Sequence, residues 1–436
     1  MSDRAVTNGW KDGVLTDISE VNPSVSLYNL DLNAPVTFLS MADVGENGRV
    51  LTPQTRLMQE VRNGFTRFVE GDVLFAKITP CMENGKGAFA INLANGHGFG
   101  STEFHVLRAN EFGDSEFIFH VTQNSVLRSK AESYFSGSAG QQRVSTDFFS
   151  KYSMLIPSIP EQKKIARILT TVDNLIEKTE ALIEKYKAIK QGMMHDLFTR
   201  GVDQNGKLRP PYEEAPHLYK ESPLGWIPKE WDAIELSAAC TWSSGGTPSK
   251  SNTSFWQGEL PWASPKDMKT FELSDTIDHV SEEGAQAGSR LLEKGTVLIV
   301  IRGMILAHTF PVAIVCRRMA FNQDMKALVC NPDIQHRFLA HWLVSNSDQL
   351  LRLATESTHG TKRYDLSDLY NLAFPRPNSD EQSAIVERID SLDGATNSEI
   401  ERLESLRVMK TGLMQDLLTG KVRVNVDETE EGLADG

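Results

Sequence analysis

The chain repeats itself. Shifted by 220 positions, the stretch from Glu161 to Val202 aligns with the stretch from Glu381 to Val422 without a gap. Identical pairs include Glu161/Glu381, Gln162/Gln382, Ile165/Ile385, Asp173/Asp393, Glu184/Glu404 and Lys190/Lys410. They crowd near the end, where Gly192, Met194, Asp196, Leu197, Thr199 and Val202 meet Gly412, Met414, Asp416, Leu417, Thr419 and Val422. The same offset reaches back through Pro157/Pro377 to Arg143/Arg363 and Gly140/Gly360. Further upstream only traces remain: Gly71-Asp72-Val73-Leu74-Phe75 resembles Gly295-Thr296-Val297-Leu298-Ile299 at a slightly different offset. A fixed-period repeat names the folding unit before any local propensity does. Copies that stay alike in one part and diverge in another describe one scaffold presenting two different surfaces.

The repeated part is helical by pattern. After Pro160 the apolar positions Ile165, Ile168, Val172, Leu175, Thr179, Leu182, Tyr186, Ile189 and Met193 follow steps of three and four, the seam of a coiled coil. Ser158 and Pro160 suit a helix start, and Gly201 suits its end. Roughly 38 residues at 1.5 Å each give a rod on the order of 55 Å. In the second copy the seam runs through Ile385, Ile389, Leu392, Ile400, Leu403, Leu406, Leu413 and Leu417, and Gly394-Ala395-Thr396 interrupts it with an expected kink or loosened turn. Two such stretches each need a partner for their seam, which predicts an intramolecular antiparallel pair over ordinary packing of each helix on its own domain.

A chain of 436 residues exceeds what one core usually serves. The pattern divides it into a first globular domain (1–156), a first long helix (157–201), a Pro-rich connector (202–230), a second globular domain (231–376), a second long helix (377–420) and an acidic tail (421–436) expected to be disordered. Both globular parts read as mixed α/β with short strands, such as Asp72 to Ile78 and Thr296 to Ile301, between Gly-rich turns. No apolar run is long enough to span a bilayer and the amino terminus lacks the regions of a signal peptide, so a cytoplasmic protein with no membrane partner is expected. Cys81, Cys240, Cys316 and Cys330 stand far apart, which predicts buried free thiols and neither a zinc site nor a disulfide framework.

The connector carries the string Tyr219-Lys220-Glu221-Ser222-Pro223-Leu224-Gly225-Trp226-Ile227-Pro228-Lys229-Glu230-Trp231, preceded by Arg209-Pro210-Pro211-Tyr212. Pro160-Glu161-Gln162 and Asp380-Glu381-Gln382 stand before the helices. Gly192-Met193-Met194-His195-Asp196-Leu197 and Gly412-Leu413-Met414-Gln415-Asp416-Leu417 stand near their ends, and Phe321-Asn322-Gln323 lies in the second domain. Together these strings resemble the specificity subunits of type I restriction-modification enzymes. The resemblance implies a DNA-reading subunit without catalysis of its own: two target-recognition domains, each reading half of an interrupted double-stranded site, and two long antiparallel helices that set the spacing. It also implies docking of two methyltransferase (modification) subunits, with S-adenosylmethionine bound there and no cofactor in this chain, and later addition of motor-nuclease (restriction) subunits. The first domain departs from the pattern, with Thr102-Glu103 where the second has Asn322-Gln323.

Recognition residues usually sit on loops held by a rigid scaffold. Base edges call for Arg or Lys at guanine and Asn or Gln at adenine. Candidate loops are Lys77 to Lys86 with Asn84, Ser136 to Arg143, Ser243 to Lys250, Arg302 to His308 and Glu356 to Tyr364. The DNA-binding candidates are therefore Lys77, Asn84, Lys86, Gln141, Gln142, Arg143, Lys250, Arg302, Asn322, Gln323, Lys362, Arg363 and Tyr364. Gln141-Gln142-Arg143 and Lys362-Arg363-Tyr364 stand out because they occupy equivalent places beside the two helix starts. Solvated loop charges, or an anchoring role for Arg143 and Arg363, compete with this reading.

Two features weigh against it. The net charge of −13 is unusual for a protein that holds DNA unaided, so local basic loops or partner subunits must neutralise the phosphates. A coiled-coil adaptor whose globular domains bind proteins is the rival. Catalysis has no motif behind it: Asn22-Pro23-Ser24 and Asn331-Pro332-Asp333 lack the second proline and aromatic of a base methyltransferase strip, and Gly245-Gly246-Thr247-Pro248-Ser249-Lys250 fails the spacing of a phosphate-binding loop. No catalytic or metal site is expected.

Overall fold

A computed structural model describes residues 9–28, 30–137, 141–356 and 361–426. Gly140 and Gly360 of the repeat, parts of two candidate loops, and the acidic tail from Asp427 onward lie outside the described residues. The chain packs as two units, Met1–Glu180 with Glu401–Gly436, and Ala181–Ile400. Among the described residues no helix is long and apolar enough to cross a membrane. The four cysteines are free; Cys240 is buried and the other three are half-buried.

The first unit is built on two four-stranded sheets. One runs in the order Ser19–Val21, Phe104–Ala109, Val73–Ala76, Gly87–Phe89; the other in the order Gln54–Leu57, Pro35–Leu39, His97–Gly100, Thr66–Val69. Val73-Leu74-Phe75-Ala76 is buried throughout because cores pack against both faces of that strand, which suits a continuous apolar run. Its antiparallel partner is in register Val73↔Leu107 to Ala76↔Phe104. In the second unit Val297–Val300 takes the same place, in register Val297↔Leu328 to Val300↔Met325, inside a five-stranded sheet. The weak upstream likeness in the sequence is therefore the central strand of each domain. Each domain also closes on itself: Lys11–Val14 pairs with Ser153–Ile156, and Asp232–Glu235 pairs with Ala373–Arg376, both antiparallel.

Each closing strand leads into a long helix, Ile159–Thr199 or Ser379–Leu417. Within the first unit Lys410 Nζ lies 2.6 Å from Asp173 Oδ1, and Arg407 donates to Glu180 at 3.0 Å. Numbers rise on one helix as they fall on the other, so these segments are antiparallel. Within the second unit Lys190 Nζ lies 2.6 Å from Asp393 Oδ1, and Glu381 accepts the backbone N–H of Val202 at 2.8 Å, again antiparallel. The repeated identities Asp173/Asp393 and Lys190/Lys410 are thus one ion pair used twice with its partners exchanged, once in each unit.

The seam is shifted from the expected one. Buried positions on the first helix are Ile165, Leu169, Val172, Ile176, Thr179 and Ile183, with Met194 and Leu197 further on. Leu175 is 36% exposed and Ile189 44% exposed, while Ile168, Leu182 and Met193 are half-buried. At the doublets Ile168-Leu169, Leu175-Ile176 and Leu182-Ile183 both residues are apolar, so periodicity leaves the phase open. Packing chooses the second of each, worth about 1.5–3 kcal/mol per fully buried aliphatic side chain. On the second helix Ile385, Ile389, Leu403, Leu406 and Leu417 are buried, Leu392 and Leu413 are half-buried, and Ile400 is 46% exposed. No kink follows from Gly394: the helix is continuous, and a Cβ added there would meet nothing within 4 Å. The break in the apolar pattern is bridged by Thr396, whose hydroxyl donates to the Leu392 carbonyl at 2.7 Å.

The repeated Glu-Gln at each helix start is a structural clip. Gln162 donates to the carbonyls of Phe112 and Pro157, both at 3.0 Å, and accepts the N–H of Asp114 at 2.8 Å. Gln382 does the same with Asp333 and Pro377, both at 2.9 Å, and with the N–H of Gln335 at 2.8 Å. Each amide ties the helix to the start of a domain helix, Ser115–Gln123 or His336–Ser345. Glu161 accepts from Trp10 at 3.1 Å and from Arg423; Glu381 accepts from Arg209. Gly201, at φ +61°, is the only residue type that fits there, since a Cβ would meet the Glu381 carboxylate and Trp231. The connector is ordered by this clasp and by the hairpin Tyr219–Ser222/Gly225–Pro228.

Two stability measurements follow from these contacts. Gln382→Ala strands three backbone groups, the Pro377 carbonyl buried and the other two half-buried, and should cost about 1–3 kcal/mol by urea unfolding, with Gln162→Ala costing a similar amount. His120 is fully buried, donating to or accepting from Thr170 Oγ1 at 2.9 Å, and burial reinforced by the Lys410 ammonium pushes its pKa down to about 3. Between about pH 3 and the ordinary histidine value only the unfolded chain binds this proton, so its contribution is full at neutral pH and lost as pH falls. Unfolding free energy should drop by about 2 kcal/mol from pH 7 to pH 5 on this account, and His120→Gln should flatten that slope.

Candidate nucleic-acid interface

In each unit three segments meet where the central strand runs out. In the first, Lys77 donates its N–H to the Glu103 carbonyl at 2.9 Å and accepts from Val144 N at 2.9 Å, while Thr79 N donates to the Gln142 carbonyl at 3.0 Å. This joins the strand end, the Thr102-Glu103 turn and the hairpin Phe135–Ser136/Arg143–Val144. In the second, Ile301 N donates to the Asp324 carbonyl at 2.9 Å, Tyr364 N to Ile301 at 3.0 Å and Gly303 N to Lys362 at 3.0 Å. Strand end, Asn322-Gln323-Asp324 turn and hairpin Thr355–Glu356/Lys362–Arg363 repeat the arrangement. A fourth segment joins here: Thr247 donates to Gln323 Oε1 at 2.6 Å, and Gly246 N to the Phe321 carbonyl at 2.9 Å.

The candidates thus divide. Lys77, Gln141, Gln142 and Arg143 share one locus; Arg302, Asn322, Gln323, Lys362, Arg363 and Tyr364 share the other. Lys250 ends the fourth segment with its ammonium 6.0 Å from the Trp256 ring. Asn84 and Lys86 point elsewhere, donating to Glu46 Oε1 at 3.2 Å and to the Met41 carbonyl at 2.9 Å, where they tie down a neighbouring loop. Asn322 is buried and its amide oxygen accepts Asp324 N, so it shapes the turn. Tyr364 is buried too, its hydroxyl without a hydrogen-bond partner among the described residues and its pKa raised by burial.

Charge at the two loci differs. Arg143 forms a two-point pair with Glu103, Nε at 2.9 Å and Nη2 at 2.8 Å, while its Nη1 donates to the Gln141 carbonyl. That hydrogen-bonded guanidinium holds the Glu103 carboxyl below the usual carboxylate range. Arg143 is therefore bound within its own domain and does not anchor the domain to the helix. Lys362 is paired with Glu356 at 3.0 Å, whereas Arg302 is 64% exposed, its Nε 3.6 Å from Asp324. Arg67 went unmarked by any motif. It lines an open cleft of about 400 Å³ with Asn22, Ser24, Lys77 and Thr102.

One group of possible metal ligands occurs among the described residues, His341, Asp390 and Asp393, with donor atoms within 4.8 Å. Arg337 already binds Asp390 at 2.7 and 2.8 Å and Lys190 binds Asp393, so the carboxylates are neutralised and the group serves as a strut between domain and helix.

A sequence model of the family described as Type I restriction modification DNA specificity domain matches residues 8–187 and again 228–407. The specificity subunit of type I restriction enzyme EcoR124I/EcoR124II from Escherichia coli is 30% identical over 242 residues, 54% of this chain and 57% of that one. The chain thus spans little more than half the length of that relative. The MjaVIII specificity subunit of Methanocaldococcus jannaschii is 24% identical over 370 residues, 81% of this chain and 80% of that one. The crystal structure of a type I restriction-modification S subunit from M. genitalium superposes with a TM-score of 0.55 at 16% identity, covering 96% of this chain and 98% of that one, a likeness of fold.

Because the Tyr364 hydroxyl is buried without a hydrogen-bond partner among the described residues, Tyr364→Phe should leave unfolding free energy unchanged or raise it by up to about 1 kcal/mol. A clear loss in thermal or urea unfolding would mean that the hydroxyl is bonded in solution.

Proposed function

We propose, from the premise that this chain belongs to the type I restriction-modification DNA specificity family, that it reads a bipartite interrupted DNA sequence and carries no catalytic step itself. The observation that carries this reading is the pair of equivalent loci, one per unit, each joining a strand end, a turn and a hairpin that share Arg143/Arg363 and otherwise differ between the copies. A scaffold repeated with its ion pairs exchanged, bearing unlike loops at like places, suits two different half-sites read by one design. Arg, Lys and Gln at these loci have the donors that major-groove edges require.

The acidity of the chain assigns the rest of the work to partners. With a net charge of −13 its own phosphate attraction is weak, so docked methyltransferase subunits would supply most of the neutralisation as well as S-adenosylmethionine, and motor-nuclease subunits would join that assembly. The long helices would set the spacer between the half-sites.

The test is the methylome of cells with and without the gene: an interrupted motif should vanish on deletion, and its persistence would end this reading. A heptad inserted in both helices, after Glu180 and after Ile400, keeps the Asp173–Lys410 and Lys190–Asp393 pairs. It should lengthen the spacer by about 10 Å, on the order of three base pairs, and leave both half-sites unchanged. The same heptad in one helix alone breaks the register and should abolish modification.

A further inference from the structure

Each locus holds two cations, one where the central strand ends (Lys77 in the first, Arg302 one position further along in the second) and one at the same place on the hairpin (Arg143, Arg363); the bridges Ile78↔Arg143 and Arg302↔Arg363 make Arg302 the counterpart of Ile78 and leave Lys77 on the other face of its strand. A carboxylate at the turn, Glu103 or Asp324, stands beside them. In the first unit Glu103 takes the hairpin cation: three donors of the Arg143 guanidinium are used, two by Glu103 and one by the Gln141 carbonyl. The Lys77 ammonium is in no hydrogen bond or ion pair among the described residues and lines the open cleft opposite Arg67, which spends one donor on the Arg62 carbonyl. In the second unit the hairpin cation is the one left unpaired. Asp324 Oδ1 is buried without a hydrogen bond and draws the strand-end Arg302 to 3.6 Å, while the hairpin Arg363 is exposed and unpaired among the described residues.

Resting on the DNA-reading function above, we propose that the turn carboxylate decides which cation of each locus contacts a base: Lys77 in the first domain and Arg363 in the second, with Arg143 and Arg302 held as positioning residues. A guanidinium already satisfied by a two-point carboxylate pair must surrender it before it can grip guanine O6 and N7, whereas an uncommitted cation in an open cleft gives up only water. Arg143 shapes the hairpin; Lys77 meets the DNA.

The test uses the full chain expressed with its own modification subunits, reading the methylome together with thermal unfolding of the purified chain. Lys77→Met, which keeps the apolar stem, should relax one position of one half-site at least tenfold and leave the other half-site and the unfolding temperature unchanged. Arg143→Met should keep the motif and lower the unfolding temperature. Arg363→Met should relax the other half-site, and Arg302→Met should relax neither. Relaxation by Arg143→Met with an unchanged motif in Lys77→Met overturns the proposal. So does uniform weakening by Lys77→Met with the motif intact, which would mark a phosphate contact. A parent methylome with no interrupted motif removes the underlying reading as well, a result distinct from either.

Discussion

The architecture depends on one ion pair made twice, Asp173 with Lys410 and Asp393 with Lys190. All four groups are half-buried, and pairs of this kind contribute about 1 kcal/mol at most, so their role is not bulk stability. The apolar seam supplies that. What the seam cannot supply is register, because isoleucines and leucines at every third and fourth position fit nearly as well one turn along. A slip by one turn would unpair both lysines and leave two aspartates against apolar side chains. The pairs therefore fix a register that hydrophobic burial alone leaves degenerate, as polar contacts in helix pairs often do.

Around that register the Glu-Gln clips join helix to domain. They belong to the most strongly repeated part of the sequence and turn out to serve packing. Gln162 and Gln382 satisfy backbone groups at the starts of domain helices, and Glu161 and Glu381 gather a guanidinium from the segment that follows the opposite helix. Much of the acidity is spent the same way. Glu103, Asp390, Asp393, Glu161 and Glu381 each have a basic partner, so the formal negative charge overstates what an approaching polyanion meets at these places.

The repeat, the two long helices and the paired domains were legible because identity at a fixed offset and three-four spacing are properties of sequence alone. The seam's phase was not: at Leu175-Ile176 two adjacent apolar residues compete, and only the neighbouring helix decides. Gly394 misled because a helical glycine costs entropy without forcing a bend, and this one faces open space. For the site, position was readable and commitment was not. Arg143 and Arg363 do occupy equivalent places, yet nothing in a linear string says that Glu103 will bind the first and that the second will stay exposed. Asn322 and Asn84 show the same limit, since an asparagine spent on shaping a turn or tying a loop looks no different in sequence from one free to read a base.

In each domain the first strand lies against the last, Lys11–Val14 on Ser153–Ile156 and Asp232–Glu235 on Ala373–Arg376, so the chain enters and departs through neighbouring strands about 5 Å apart. Between these strands each globule is held to its long helix a second time, by Asp114 on Gln162 and His120 on Thr170 in one, and by Gln335 on Gln382 and Arg337 on Asp390 in the other. Genetic exchange at the paired strands would carry a globule across whole, and an incoming globule would be accepted only if it also brought the groups that grip the helix start, as Asp114 and Gln335 do here.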